Sequence, residues 1–348
     1  METITSGAIG ESPVHVGVHD AHPPMRAVVQ SGYGSSDVLR VGTLARPRAG
    51  AGEVLVQVRA AGLDRGTWHL MTGRPYLMRI MGFGFFAPKN PVPGLDVAGT
   101  VVEVGPNVTR FRVGDAVFGI ARGSFAEYAP ALEDKLAHKP TNLSFEHAAV
   151  LSVSGSTALQ SLRDAGKLQA GERVLIVGAS GGVGSYAVQL AKHFGAEVTG
   201  VCSSKKVEFV RGLGADHVID YTQRDFADGG TQYDLILDIG GNTPLSRLRR
   251  TLTAAGRLVF VGGEDGGDWS AGFGRQLLAL ALSPFVRQRF AMVMAREHYA
   301  DFEQLAALTA SGALTPAIDR QCDLAGVVEA LRDREAGKVR GKVLITVA

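Results

Sequence analysis

The sequence predicts an α/β protein with a β-rich first unit and a second unit built on a doubly wound parallel sheet, and three observations predict it. Short alternating runs broken by Gly and Pro fill the chain from Met25 to about Ala137, the pattern of half-buried strands. Beyond about Ser144, continuous apolar strands alternate with helical segments, as in a parallel sheet covered on both faces. Between the first of those strands and its helix stands a glycine-rich turn, Gly178-Ala-Ser-Gly-Gly-Val-Gly184.

In chain order, residues Met1 to Pro24 are polar, carry Gly, His and Pro, and have no apolar core of signal-peptide length, so residues 1–24 are expected to be a disordered extension. Strands are expected at Arg26–Gln30, Glu53–Ala60, Gly99–Val104, Asp115–Phe118 and Phe125–Ala129. Ser144-Phe-Glu-His147 has a helix-start pattern, and a second helical segment covers Ser156–Ala165. The alternating part then runs as strand Arg173–Gly178, helix Val183–Phe194, strand Glu197–Cys202, helix Lys205–Leu213, and strands His217–Ile219 and Tyr233–Asp238. It continues as helix Pro244–Thr253, strand Arg257–Val261 and an outer strand over Phe290–Met294. Tyr299–Thr309 has helical character, and the tail Val343–Val347 is a strand free to return to the first unit. The expected division is 25–152 completed by 297–348 for the first unit, and 153–296 for the second.

Composition narrows the function. The chain has 348 residues, 45% hydrophobic and 20% charged, enough apolar material for two cores. Its 45 glycines follow no collagen-like period and cluster at strand ends. A net charge of +2 leaves no electrostatic footprint for nucleic acid or an anionic membrane. Two cysteines cannot build a disulfide framework, so a reducing cytoplasmic setting is expected. The most apolar stretch, Leu277 to Val286, is interrupted by Pro284, well short of the roughly 20 residues that a membrane span needs.

The glycine-rich turn carries the strongest functional signal. It follows a strand and opens a helix, so Gly178, Gly181, Gly182 and Gly184 let backbone N–H groups approach a pyrophosphate at the helix start. A turn that merely packs strand against helix is the alternative. Sites for NAD carry an Asp or Glu about 20 residues on, to bind the ribose 2′-OH. Here that place reads Val201-Cys-Ser-Ser-Lys-Lys206, hydroxyls and lysines suited to a 2′-phosphate, which favours NADPH. Lys205 and Lys206 as a solvated helix start is the bland alternative, and Cys202 reads as a small buried filler.

Together with the turn, the segment Leu213-Gly-Ala-Asp-His-Val-Ile-Asp-Tyr221 and the ending Gly341-Lys-Val-Leu-Ile-Thr-Val347 resemble the quinone oxidoreductase branch of the medium-chain dehydrogenase/reductases, close to the group of the mitochondrial reticulon-4-interacting protein. The resemblance spans about Met25 to Val347. It implies a GroES-like catalytic domain completed by the C-terminal tail, with a Rossmann domain inserted. It also implies that Ser203, Lys206 and Tyr221 flank the 2′-phosphate and adenosine, and that Ser180, Gly181, Gly182 and Val183 line the pyrophosphate. Thr157, Gly262 and Lys342 carry over to the nicotinamide half.

The zinc-dependent branch of that family needs Cys, His, Glu and Cys around its catalytic centre, and the matching positions here are Asp64, Leu95, Asp96 and Val153. A catalytic zinc needs about three protein ligands. No metal is therefore expected, scattered His69, His193 and His217 having no ligand-like spacing. Without a metal to acidify an alcohol, hydride addition to a conjugated quinone or α,β-unsaturated carbonyl is the easier chemistry. Tyr76, Asp64 and Asp96 are the candidate catalytic groups, with structural roles as their alternatives, and the apolar segment Tyr76–Phe86 is a candidate pocket roof. An alcohol or aldehyde dehydrogenase, and a nucleotide-binding sensor with little turnover, are the competing functions. A homodimer through the outer strand is a further expectation.

Overall fold

Alternating side chains make a sheet that buries one face, and the first unit follows that rule. The computed structural model describes residues 23–76, 79–80, 84–241, 243–262 and 273–347. Within them β1 (Met25–Gln30) and β2 (Leu39–Leu44) form an antiparallel ribbon. A seven-stranded sheet combines β3 (Glu53–Leu63), β4 (Asp96–Val104), β5 (Ala116–Ile120), β6 (Tyr128–Leu132) and β7 (Leu136–His138) with β14 (Ile318–Cys322) and β15 (Lys342–Thr346) from the far end of the chain. β3 is its spine, pairing antiparallel with β4, β6 and β15. The tail strand does return: Val343 lies opposite Leu63 and Thr346 opposite Ala60. That pairing sets Lys342 beside the end of β3, where Asp64 follows.

The second sheet holds β8 (Arg173–Val177), β9 (Glu197–Cys202), β10 (His217–Asp220), β11 (Tyr233–Asp238), β12 (Leu252–Phe260) and β13 (Arg289–Met292), all parallel. Their spatial order is β10-β9-β8-β11-β12-β13, or 3-2-1-4-5-6 counted within the sheet. Chain direction reverses beside β8, so a crevice opens at the carboxyl ends of β8 and β11, the place where open α/β sheets bind ligands. The central strand β8 is almost wholly apolar because both faces are covered: Val174, Leu175 and Ile176 are fully buried.

Three helices join the two sheets. α3 (Ser152–Gln160), α4 (Gly182–His193) and α8 (Tyr299–Ala310) meet in a core that takes Phe118 and Ala98 from the first sheet and Val174 and Leu237 from the second. Tyr186 of α4 is fully buried, and its hydroxyl donates to the Val150 carbonyl at 2.8 Å, which offsets the cost of burying a phenol.

Several elements differ from expectation. α1 (Arg65–Thr72), α9 (Val327–Glu335), β2 and β14 were not anticipated, since Arg-Gly-Thr-Trp-His-Leu-Met-Thr has no clear apolar period and β14 is mostly polar. β6 begins at Tyr128 rather than Phe125 and runs through Pro130, which pairs opposite Leu55. β12 starts at Leu252, taking residues read as the end of a helix, because β11 pairs with both ends of it across a bulge. The apolar run from Leu277 falls in α7 (Phe273–Leu282), and no helix among the described residues is long and apolar enough to cross a membrane. The expected extension 1–24 lies almost wholly outside the described residues, as do Leu77, Met78, Met81, Gly82 and Phe83 of the candidate roof.

Candidate active site

The crevice at the strand ends deepens into a cleft of about 900 Å³ between the two sheets. One wall is almost entirely backbone. After β8 the chain turns through Gly178 at φ +88°, a left-handed conformation that glycine adopts without strain. A Cβ on Gly184 would stand 2.1 Å from the Gly178 carbonyl oxygen, so strand and helix approach as closely as they do only without a side chain there. Gly181 is the N-cap of α4 and supplies no side-chain cap. The leading N–H groups of α4, at Gly182 and Val183 on the cleft, are therefore available to an anion, reinforced by the helix dipole. Gly262, also on the cleft, permits a close approach in the same manner, since its Cβ would meet the Ile239 carbonyl at 2.2 Å.

At the end of β9 the cleft is lined by Cys202, Ser203, Lys206 and, from the end of β10, Tyr221. Lys206 donates to the Val339 carbonyl at 2.7 Å, and burial holds its ammonium below the usual lysine range. Burial also pushes the Cys202 thiol up to about 11, leaving little nucleophilic thiolate at neutral pH. The segment that Lys206 grips, residues 337–341, crosses the mouth of the glycine turn and is pinned there by the Gly341 N–H donating to the Ser180 carbonyl at 2.8 Å. Three positions singled out in the sequence, Ser180, Lys206 and Lys342, thus meet on one strap.

The opposite wall is made of side chains. β3 ends at Leu63, and Asp64 caps α1 by accepting the Thr67 N–H at 2.7 Å through Oδ1, while its Oδ2 is buried without a partner among the described residues. His69, one α1 turn on, also lines the cleft. Its Nδ1 is 2.7 Å from the Arg74 carbonyl, so Nδ1 carries the hydrogen, and burial, with Arg65 and Arg334 nearby, lowers its affinity for a second proton. On α3, Val153, Ser154 and Thr157 face the same space.

Behind that wall, Asp96 and Lys342 form a buried ion pair. Lys342 Nζ stands 2.9 Å from Asp96 Oδ2 and 3.1 Å from Ser154 Oγ, and Asp96 Oδ1 accepts the Val153 N–H at 2.7 Å. Neither charged side chain is more than 1% exposed. Burial raises the Asp96 carboxyl above the usual carboxylate range, against the pull of the Lys342 ammonium.

The structure therefore brings Asp64, Thr157, Ser180, Gly181, Gly182, Val183, Ser203, Lys206, Tyr221 and Gly262 to one cleft. It does not bring Asp96, Lys342 or Tyr76 to its surface. Asp96 and Lys342 sit one layer behind, bonded to each other, because burying either charge alone would be costly. Tyr76 is outside the lining, its ring under the Arg79 guanidinium at 4.7 Å. Ser154, His69 and Arg334 line the cleft without having been singled out as site residues. His69 had a local signal, one turn after Asp64. Arg334, which donates to the Asp64 carbonyl from 270 positions away, had none.

The four positions matched to the zinc ligands do not fit a metal. Leu95 and Val153 offer no donor, both Asp96 oxygens are engaged, and the ammonium of Lys342 already neutralises the carboxylate. Among the described residues no cluster of three His, Cys, Asp or Glu side chains has metal-holding geometry.

A doubly wound sheet inserted into a β-rich unit, with a glycine-turn cleft at their junction, defines the class: the chain belongs to the medium-chain dehydrogenase/reductase family and is an oxidoreductase. Residues 50–141 match the alcohol dehydrogenase GroES-like domain, and residues 213–345 match the zinc-binding dehydrogenase family. The chain is similar to the chloroplastic quinone-oxidoreductase QR1 of Triphysaria versicolor, 32% identical over 342 residues that cover 92% of this chain and 98% of that one. It is also similar to the mitochondrial NAD(P)H oxidoreductase RTN4IP1 of Bos taurus, 32% identical over 364 residues, covering 93% of this chain and 89% of that one. Among solved structures, the quinone oxidoreductase from Coxiella burnetii superposes with a TM-score of 0.80 at 27% identity, covering 94% of this chain and all of the other.

Proposed function

We propose that this oxidoreductase uses NADPH to reduce a quinone or an α,β-unsaturated carbonyl by metal-free hydride transfer. The observation that carries the reading is the cleft itself. Its lining combines the glycine-rich helix start Gly181–Val183, Ser203 and Lys206 with no carboxylate at the tip of β9, and Thr157, Gly262 and Asp64, a set that supports a dinucleotide carrying a 2′-phosphate. When bound, the nicotinamide supplies the hydride. The protein's residues hold it: Ser180, Gly181, Gly182 and Val183 the pyrophosphate, Ser203, Lys206 and Tyr221 the phosphorylated adenosine, and Thr157 and Gly262 the nicotinamide half.

The metal-free reading is supported by the donor set at positions 64, 95, 96 and 153, in which two side chains cannot ligate and a third is paired with Lys342. A conjugated acceptor delocalises the charge that hydride addition creates, so hydrogen bonds from the wall suffice where alcohol oxidation would call for a Lewis acid. Of the three candidate catalytic groups, Asp64 alone lines the cleft among the described residues, which makes it the first candidate to contact the acceptor. Asp96 is assigned a role through the wall rather than on it, and Tyr76, under Arg79 and outside the lining, a structural role. A cytoplasmic setting accords with two unpaired, buried or half-buried cysteines, and a homodimer would use the outer strand β13.

The test is NADPH oxidation against a panel of quinones, enones and enals, with alcohols and NADP⁺ run in reverse. Turnover of conjugated acceptors after treatment with a chelator is expected. Metal-dependent alcohol oxidation, or tight nucleotide binding with no turnover of any acceptor, would overturn the proposal. Lys206→Glu is expected to weaken NADPH by about 1.5–3 kcal/mol while affecting NADH less, because it places a carboxylate against the 2′-phosphate. Equal losses for the two nucleotides would remove Lys206 from the phosphate site.

A further inference from the structure

Two hydroxyls of α3 line the cleft, and they are not equivalent. Thr157 spends its proton on the helix, donating to the Val153 carbonyl at 2.7 Å, as Ser156 does to Ser152 at 2.6 Å and Ser161 to Thr157 at 2.6 Å. This back-bonding to the preceding turn is the ordinary fate of Ser and Thr in a helix. Ser154 makes no such bond among the described residues; the carbonyl four residues earlier, Val150, accepts the buried hydroxyl of Tyr186 at 2.8 Å. The only partner of Ser154 Oγ among the described residues is Lys342 Nζ at 3.1 Å. An ammonium has donors and no acceptor, so Ser154 accepts in that bond and keeps its own proton to donate.

The place to which that proton is offered is fixed by a glycine. A Cβ on Gly182 would come within 3.1 Å of Ser154 Oγ and 3.3 Å of Lys342 Cδ. Ser154 therefore faces the first residue of α4, where the leading N–H groups open onto the cleft. Asp96 holds Lys342 from behind and is itself held by the Val153 N–H, so the whole chain of contacts is fixed by side chains buried to within a few per cent.

We infer that the Ser154 hydroxyl donates a hydrogen bond to the pyrophosphate of the bound dinucleotide, and that Lys342 and Asp96 are positioning residues that orient it without touching the cofactor. The inference rests on the dinucleotide reading above and adds a side-chain donor to the backbone seat. Because both nicotinamide dinucleotides share the pyrophosphate, Ser154 strengthens NADPH and NADH alike, unlike Lys206. The pair behind it sets that strength from a distance.

The experiment is titration of nucleotide binding by fluorescence or calorimetry, using NADPH, NADH and adenosine 2′-monophosphate, which has the 2′-phosphate but no pyrophosphate. Ser154→Ala is expected to raise the dissociation constants of NADPH and NADH about tenfold, the loss of one hydrogen bond to a charged group, and to leave adenosine 2′-monophosphate unchanged. The neutral pair Asp96→Asn/Lys342→Gln, which keeps polar side chains at both positions and avoids a lone buried charge, is expected to weaken both dinucleotides severalfold. Adding Ser154→Ala to that pair is expected to cost much less than it does in the wild-type background. Unchanged dinucleotide binding by Ser154→Ala, in a wild-type protein that binds NADPH, overturns this inference alone. Equal losses for all three ligands, or full additivity with the neutral pair, also overturn it. Failure of the wild-type protein to bind either dinucleotide overturns the underlying dinucleotide reading as well.

Discussion

The two walls of the cleft are built by opposite means. The sheet wall is backbone: a turn at Gly178, a helix start at Gly182, and glycines whose missing Cβ atoms let carbonyls approach to about 2 Å of where a side chain would begin. The facing wall is side chain: Asp64 capping α1, and the Asp96–Lys342 pair reaching the cleft through Ser154 and Val153. A backbone wall tolerates no substitution that adds volume, whereas a charge wall tolerates loss of both partners and resents the loss of one. That asymmetry is what experiments can break.

The largest effect belongs to the charge wall. Lys342→Met leaves Asp96 buried without its cation and is expected to lower unfolding free energy by about 3–5 kcal/mol, read from the denaturant midpoint. Asp96→Asn/Lys342→Met should recover most of the loss. A single substitution costing less than the double one would mean that the two side chains do not act as a pair. On the backbone wall, Gly184→Ala sets a methyl against the Gly178 carbonyl, and a cost of about 1–3 kcal/mol together with loss of nucleotide affinity is expected. Normal nucleotide binding by that variant would show that the turn relaxes at little cost.

Smaller effects sharpen the comparison at α1. Asp64→Ala removes a helix cap and is expected to cost about 1 kcal/mol, whereas Asp64→Asn keeps a capping oxygen and should be nearly neutral for stability. If Asp64→Asn nevertheless slows NADPH oxidation, the residue acts on the acceptor. If both variants leave the rate intact, its role is the cap alone. The mildest expectation concerns pH. Burial lowers the proton affinity of His69 in the fold, so as pH falls through the ordinary histidine range the unfolded chain takes up a proton that the folded one resists. Stability is therefore present at neutral pH and lost on acidification. His69→Gln should shallow the fall of melting temperature between about pH 7 and pH 5, the span around an unperturbed histidine pKa. An unchanged slope would place the imidazole in solvent.

Much of this architecture is legible without coordinates, and the reason differs by region. Continuous apolar strands such as Val174–Val177, alternating with helices, can pack only as a parallel sheet covered on both faces, and the glycine turn between β8 and α4 marks its carboxyl edge. The elements that escaped are those whose residues lack period or propensity of their own. α1 exists because Asp64 caps it, β14 because β15 pairs with it, and the true start of β12 because β11 fixes its register. Tyr76, Asp96 and Lys342 were reasonable candidates by residue type, yet only packing shows that two of them face each other and the third lies under Arg79.

What the sequence determines by itself is whatever neighbours in the chain can enforce: strand and helix periods, the cap, and a turn that needs glycine within a span of seven residues from Gly178 to Gly184. What only the tertiary structure decides is which distant charges share a dielectric. Asp96 lies 57 positions from Val153 and 246 from Lys342, and no local rule pairs them. The return of β15 to β3 does so, because an ammonium carried into the interior by a strand must find a carboxylate there.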